Sequence, residues 1–268
     1  MGREGDGGGV TAMSDLRGIY TLWYREFKVF LRERSRLVAS IASPILWLLI
    51  IGGGLGSVIS FGGLNFLSFL YPGILMQAAL FSAVFFGVYI VWDKKIDFLK
   101  EVLVSPLSRT SIFVGKVLGG STDTVIQVAI LLVFGYLFSI TGVIQGVTFS
   151  PLTVVVTLAF MFVTTAGLAS IGLILGSQME SPEGFQLIGS FLVFPMFFLS
   201  GALFPIDNLP SWLAPFVLIN PATYTVDGLR GTLTGLHQFN IGLDFLVICA
   251  FSAVMILIGT YAFRKMRL

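Results

Sequence analysis

The chain has 268 residues, of which 56% are hydrophobic and only 11% are charged. A soluble globular protein carries about 25% charged residues, so 16 basic and 14 acidic side chains are too few to cover a soluble surface of this size. The composition therefore excludes a soluble enzyme, and the high hydrophobicity excludes intrinsic disorder. The net charge of +2 gives no support to nucleic-acid binding. A polytopic membrane protein remains.

The cysteine and histidine content argues against a metal or redox site. Cys249 is the single cysteine and lies in an apolar run, so it cannot form an intrachain disulfide. His237 is the single histidine, and one histidine without neighbouring cysteines is not a metal site. We therefore expect this chain to bind no metal and no cofactor of its own.

The N-terminal region changes character at about residue 14. Residues 1–13 are rich in glycine, which predicts a mobile tail. Residues 14–36 are predicted to form an amphipathic helix, because apolar residues recur at helical spacing and basic residues occupy the other face. The apolar positions are Leu16, Ile19, Tyr20, Trp23, Phe27, Phe30 and Leu31. Such a helix is typical of a membrane interface, and an ordinary partner-binding helix is the alternative.

Six apolar segments reach the roughly 20 residues that span a bilayer. They lie near 37–59, 67–91, 114–138, 151–176, 185–204 and 242–263. Of the 16 basic residues, all except Arg230 fall before the first segment, between the second and third, or after the sixth. The positive-inside rule therefore predicts that both termini are cytoplasmic.

Two connections carry further information. Residues 92–113 contain a short apolar stripe opposite charged residues, which predicts a short amphipathic helix on the cytoplasmic side. Pro106 is expected to end this helix. Residues 205–240, on the outer side, contain four prolines with aromatic residues between them. This segment is too apolar for a free loop and too broken for a straight span, so we expect short helices that re-enter the membrane or lie on its outer leaflet.

The order of these segments, with EVLVSPLSRTSIFVGKVLGG in the loop and FFLSGALFPIDNLPSWLAPFVLINPATYTVDGLRG after the fifth span, resembles the membrane subunit of ABC-2 type exporters. The resemblance covers about residues 15–267. The family includes drug-resistance permeases and glycan or lipid export permeases. It implies an all-α integral membrane fold with six transmembrane helices, an N-terminal interfacial helix, a cytoplasmic coupling helix and outer re-entrant helices.

The resemblance also implies partners and a mechanism. Permeases of this family form homodimers in the plasma membrane and pair with two copies of a separate ATPase subunit, which holds ATP and Mg²⁺. The loop between spans two and three would dock on that subunit as the coupling helix. The positions it would use are Asp93, Lys94, Lys95, Ile96, Leu99, Lys100, Val102, Leu103 and Pro106. The sequence itself has no GxxxxGK[ST] phosphate loop.

Charged residues in or beside the spans are candidate functional positions. Asp123 lies in the third span, where a carboxylate usually faces a cavity or partner; it is a candidate gate or coupling residue, or lies at the interface beside Lys116. Glu180 and Glu183 could form a cytoplasmic gate or stabilise the start of the fifth span. Asp227 and Arg230 are three residues apart and could pair as a structural clasp in the outer segment, with substrate contact as the alternative.

Aromatic and small residues suggest packing and a path. Phe191, Phe194, Phe197 and Phe198 crowd the fifth span and could line a path for a hydrophobic or amphiphilic substrate, or face lipid. Pairs of glycines four apart, at 52/56, 115/119 and 172/176, could let helices approach closely.

Two other classes of protein compete with the exporter. A secondary transporter driven by an ion gradient would favour internal repeats and buried midplane charges, and Asp123 is the one clear candidate. A membrane enzyme acting on lipids would need clustered polar residues at one interface, which the sequence lacks. Loss of transport on ATP depletion with the ion gradient kept would separate the exporter from the secondary transporter.

Overall fold

In the computed structural model the described residues are 7–56, 60–61, 63–96, 107–207 and 209–265. They are almost entirely helical, apart from a two-residue antiparallel pairing of Ser60–Phe61 with Leu64–Asn65. The helices are α1 (Gly7–Arg32), α2 (Arg34–Trp47), α3 (Gly53–Gly56), α4 (Phe66–Phe85), α5 (Val88–Lys95), α6 (Arg109–Ile140), α7 (Pro151–Gln178), α8 (Pro182–Phe198), α9 (Ala214–Ile219), α10 (Pro221–Thr234) and α11 (Ile241–Lys265).

Five helical segments are long and apolar enough to cross a membrane. They are Arg34–Gly56, Phe66–Lys95, Arg109–Ile140, Pro151–Gln178 and Ile241–Lys265. The predicted span at 185–204 corresponds to α8, which has 17 residues and is therefore only about 26 Å long. A hydrocarbon core is about 30 Å thick, so α8 alone is shorter than a full span.

The N-terminal helix differs from the sequence prediction at both ends. It begins at Gly7 rather than near residue 14, and it ends at Arg32, where Glu33 separates it from α2. Continuing an existing helix through each glycine costs only about 1 kcal/mol, so a glycine-rich sequence does not by itself end one.

The first span is irregular near its middle. Pro44 lies inside α2, and Leu48–Gly52 form a π-helical turn before α3. Proline removes a backbone donor from the helix ladder, and π-turns are frequent at functional sites. The irregular turn keeps Leu48 and Gly52 buried, with Gly52 packed against the Leu67 side chain.

Helix α4 forms the centre of the molecule. Sixteen of its 20 residues are buried, and it packs against α2, α6, α7, α8 and α10. The helix is interrupted at Phe86–Gly87 before α5 continues its course. Gly87 crosses α7 at Gly172 so closely that a Cβ on either residue would collide with the other helix's backbone. The absence of side chains at this crossing permits the contact.

The connection 199–240 contains two short helices, as its prolines and aromatic residues suggested. Asn220 ends α9 and caps α10: its side-chain oxygen accepts from the Ala222 amide at 3.1 Å, and its amide nitrogen donates to the Met196 carbonyl at 2.7 Å. This one side chain therefore fixes both short helices against the end of α8.

Candidate functional site

A group of four charged side chains joins α1, α5 and α6, and all of them except the partly exposed Arg25 are buried. The Lys116 Nζ donates to Asp93 Oδ2 at 2.6 Å and to Glu26 Oε1 at 3.1 Å. Arg25 reaches the same two carboxylates at 3.5 and 2.8 Å. Two positive and two negative charges compensate each other, which is the condition for burying charge. We call Arg25, Glu26, Asp93 and Lys116 the ion quartet.

Close packing of α1 along α6 brings the ion quartet together. A Cβ on Gly115 would lie 3.0 Å from Leu22 Cβ, and one on Gly119 would lie 2.7 Å from Glu26 Cβ. The glycine pair at 115/119 is therefore a contact surface within this chain. Leu22, Glu26 and Phe30 are buried, whereas Leu16, Tyr20 and Leu31 of the predicted apolar stripe are exposed.

The residues predicted for coupling have two different environments. Asp93 and Lys94 belong to the last turn of α5 and point into the protein: Asp93 joins the ion quartet, and Lys94 donates to the carbonyls of Gly176, Ser177 and Met179 at the end of α7. Those carbonyls lack helix partners. Lys95 lies over the Trp92 ring and Ile96 is exposed. Leu99, Lys100, Val102, Leu103 and Pro106 lie outside the described residues.

A cavity of about 470 Å³ opens between α2, α4, α6 and α8. Its wall is aromatic, with contributions from Trp47, Phe81, Phe85 and Phe194. Pro44, at the irregular part of α2, also lines it. Its volume is within the range of small-molecule sites. We call this space the central cavity.

The central cavity also has a polar side. Gln77 from α4 and Gln127 from α6 line it, and they are 7% and 1% exposed. The Oε1 atom of Gln77 and both amide atoms of Gln127 have no hydrogen-bond partner among the described residues. Since nearly all buried polar side-chain atoms in proteins are hydrogen-bonded, these three atoms stand out.

One charged residue lines the central cavity within the described part of the chain, and it is Arg36. Arg36 donates to the Tyr89 hydroxyl and lies 3.5 Å from Glu33, while Tyr89 donates to the same Glu33 carboxylate at 2.6 Å. These contacts hold the guanidinium at the end of the cavity nearest α1.

The other charged candidates have separate locations. Asp123 is 2% exposed and its Oδ1 has no partner among the described residues. Lys116 pairs with Glu26 and Asp93 instead of with Asp123.

Glu180 and Glu183 are exposed. Glu183 lies in the first turn of α8, where a negative charge is favourable, but the cap of that helix is Ser181, whose hydroxyl accepts from the Gly184 amide at 3.1 Å.

Asp227 and Arg230 form two contacts with loops rather than the predicted pair with each other. Asp227 accepts from the amides of Gln238 and Phe239 at 3.0 and 2.8 Å. Arg230 donates to the Gly201 carbonyl at 2.8 Å and stacks on the Phe69 ring at 3.9 Å. Asp227 is held by loop amides and Arg230 by a loop carbonyl, although the Arg230 Nε has no partner among the described residues. The two side chains therefore fasten α10 to the segments on either side of it.

The four aromatic residues of α8 do not share one environment. Phe194 lines the central cavity and contacts Phe81, with ring centroids 5.5 Å apart. Phe197 is buried in the core, Phe198 is partly exposed beside Phe194, and Phe191 is 83% exposed and lines a separate apolar cavity. Only Phe194 is in the position predicted for path lining in this cavity.

Known proteins resemble this chain over nearly its whole length. The sequence pattern of the family described as ABC-2 type transporter matches residues 17–234. The chain belongs to the ABC-2 type transporter family.

Similar proteins have the same kind of name. A putative transport permease ycf38 of Cyanophora paradoxa is 29% identical over 96% of this chain and 91% of its own length. Nodulation protein J of Rhizobium leguminosarum bv. viciae is 24% identical over 91% of this chain and 93% of its own length. The inner membrane transport permease YadH of Escherichia coli K12 is 26% identical over 89% of this chain and 91% of its own length. The chain is thus a multi-pass membrane transport subunit of a family that generally works with an ATPase partner.

Sequence reasoning missed several residues of this permease that the structure brings together. Arg25 and Glu26 were not singled out as site residues, and Lys116 was considered only as a neighbour of Asp123 at the interface. The signal was present for Glu26, because an acidic residue four positions after Leu22 interrupts the apolar side of α1. Gln77 and Gln127 are polar residues within long apolar helices, and such residues usually face a cavity or another helix.

Proposed function

We propose that this permease is the membrane subunit of an ATP-driven exporter and moves a hydrophobic or amphiphilic substrate such as a drug, a lipid or a lipid-linked glycan. The observation that carries the proposal is the ion quartet at the base of the connection between α5 and α6. It ties three elements to the loop that the family resemblance assigns to ATPase coupling.

The coupling argument follows from where the quartet lies. Asp93 lies four residues before the loop segment 97–106, and Lys116 is in the second turn of the helix that follows this segment. Their 2.6 Å contact closes the base of the loop. A force applied by a bound ATPase to residues 97–106 would therefore reach α5 and α6 together, and Glu26 would carry it to α1.

The central cavity is the proposed start of the substrate path. It lies between the first span and α8, with α4 and α6 completing its lining. Its aromatic wall suits an apolar chain, whereas Gln77 and Gln127 suit a polar group. An amphiphilic substrate matches both parts of this lining.

The assembly and orientation are part of the same proposal. We infer a homodimer with two copies of a separate ATPase, in the plasma membrane, with both termini cytoplasmic. The basic residues of α1, of residues 94–116 and of the end of α11 support that orientation. In this arrangement α8 is the fifth of six spans, and α9 and α10 are short helices near the outer surface.

The experiment is a mild-detergent purification of the tagged chain from its native membrane. We expect an ATP-binding subunit to co-purify at about one to one, and Leu99→Asp to release it. The matched control is Leu152→Asp, at an exposed position at the start of α7, which should retain the partner. Absence of such a partner, together with transport by the chain alone in liposomes under an ion gradient, would refute the exporter.

A further inference from the structure

We infer that Gln77 and Gln127 form a recognition subsite for a hydrogen-bond-donating group, a hydroxyl or an amide, on the ligand of the central cavity. The inference rests on the proposed function only in calling that ligand a substrate. The subsite itself is a feature of the cavity lining and can be tested without ATP or an ATPase.

The first argument is the number of unpartnered atoms. Gln127 is 1% exposed, and both its amide oxygen and its amide nitrogen lack partners among the described residues. Gln77 adds a second unpartnered oxygen. Leaving such atoms buried and unpaired destabilises a protein. Leucine would fit these positions without that penalty, so the amides are better explained by a ligand than by packing.

The second argument is that neighbouring polar groups already have partners. Ser82, which also lines the cavity, shares a 3.1 Å hydrogen bond with Thr124, and Thr124 donates to the Gly120 carbonyl at 2.8 Å. Ser40 donates to the Leu37 carbonyl at 2.9 Å. Among the buried side-chain polar atoms that line the cavity in the described part of the chain, those without a partner thus belong to the two glutamines.

The chemistry of the unpartnered atoms defines the ligand. Two of the three are acceptor oxygens and one is a donor nitrogen, so the matching group must donate and can also accept. Hydroxyl and amide groups do both, whereas an ether or ester oxygen only accepts. A cationic group is disfavoured because the positively charged Arg36, the one charged residue that lines the cavity in the described part of the chain, would repel it. The aromatic wall leaves room for an apolar chain on the same ligand.

Trp47 provides a direct assay, because it lines the central cavity. A variant in which Trp23, Trp92 and Trp212 are replaced by phenylalanine leaves Trp47 as the single tryptophan, which is excited selectively over the tyrosines. The protein is placed in lipid nanodiscs without ATPase and titrated with 12-bromododecanol, its methyl ether or 12-bromododecylamine, whose bromine quenches tryptophan. A second protein that retains only Trp212, which is 68% exposed, reports quenching outside the cavity.

We expect 12-bromododecanol to quench Trp47 at about fivefold lower membrane concentration than the methyl ether, since one neutral hydrogen bond contributes roughly that factor. Gln127→Leu should abolish the difference, and Gln77→Leu should reduce it. Gln186→Leu, the same change at an exposed position of α8, should leave it unchanged. Trp212 should respond equally to both compounds.

A second measurement detects the cost of the unpartnered amide. Gln127→Leu should raise the thermal midpoint of the ligand-free protein, whereas a merely structural glutamine would lower it on removal. Equal quenching by alcohol and ether, stronger quenching by the amine, or a lower midpoint for Gln127→Leu would each overturn the subsite. Because no ATPase is present, those results would leave the exporter proposal standing.

Discussion

Replacing Lys116 by methionine should destabilise the protein strongly. The Lys116 side chain is fully buried and lies 2.6 and 3.1 Å from two carboxylates that are themselves 7% and 4% exposed. Its removal leaves two buried negative charges with Arg25 as the remaining positive member of the quartet. Breaking a buried ion pair in this way costs about 3–5 kcal/mol. At roughly 2–4 °C per kcal/mol for a chain of this size, the thermal midpoint should fall by about 10 °C.

The assay is thermal unfolding in detergent, followed by tryptophan fluorescence, on single and double variants. Lys116→Met combined with Asp93→Asn restores charge balance, so most of the lost stability should return. Lys28→Met is the matched control because Lys28 is exposed, and it should change the midpoint by only about 1–2 °C. The reasoning fails if Lys116→Met is no worse than Lys28→Met, or if the double variant is as unstable as the single one.

Three smaller predictions use the same unfolding assay. Gly119→Ala should cost about 1–3 kcal/mol because its Cβ would overlap α1, and Gly53→Ala, which meets open space, should cost far less. Asn220→Ala should cost about 1–2 kcal/mol more than Asn240→Ala, because only the former also loses a bond to an α8 carbonyl; equal losses would contradict this. A backbone amide at the start of α6 lowers the pKa of Asp15. That contribution is present above about pH 4 and is lost as the pH falls through the lower folded-state pKa, so Asp15→Asn should match the wild type only in acid.

The sequence predicts helices best where one long apolar run has clear ends. The predicted segments 151–176 and 242–263 correspond to Pro151–Gln178 and Ile241–Lys265. For α7 the start is set locally. The Ser150 hydroxyl accepts from the Thr153 amide at 3.1 Å, and the Thr153 hydroxyl donates to the nearby carbonyls of Thr148 and Ser150. Local chemistry of this kind is readable from the chain itself.

The sequence predicts boundaries poorly where charges are buried. The second segment was predicted to end at residue 91, but helix α5 continues to Lys95. A hydropathy pattern treats Asp93 and Lys94 as solvent-facing, whereas the structure pairs them with Lys116 and with carbonyls at the end of α7. Their partners are 23 and 82 positions away in the chain. Only tertiary packing supplies such partners, so single-sequence reasoning cannot assign them.

The anchoring of Asp93 and Lys94 limits how the proposed coupling loop can work. Both side chains point inward, so the surface available to an ATPase at this end of the loop consists of the exposed residues Trp92, Lys95 and Ile96. Asp93 fastens the loop's first residues to α1 and α6, while Lys94 fastens them to α7. A push on the loop would therefore displace the end of α5, the start of α6, the end of α7 and the second half of α1 as one unit. Because α4 leads into α5 across the interruption at Phe86–Gly87 and also lines the central cavity, that displacement would be passed on toward Gln77 without any hinge at the loop itself.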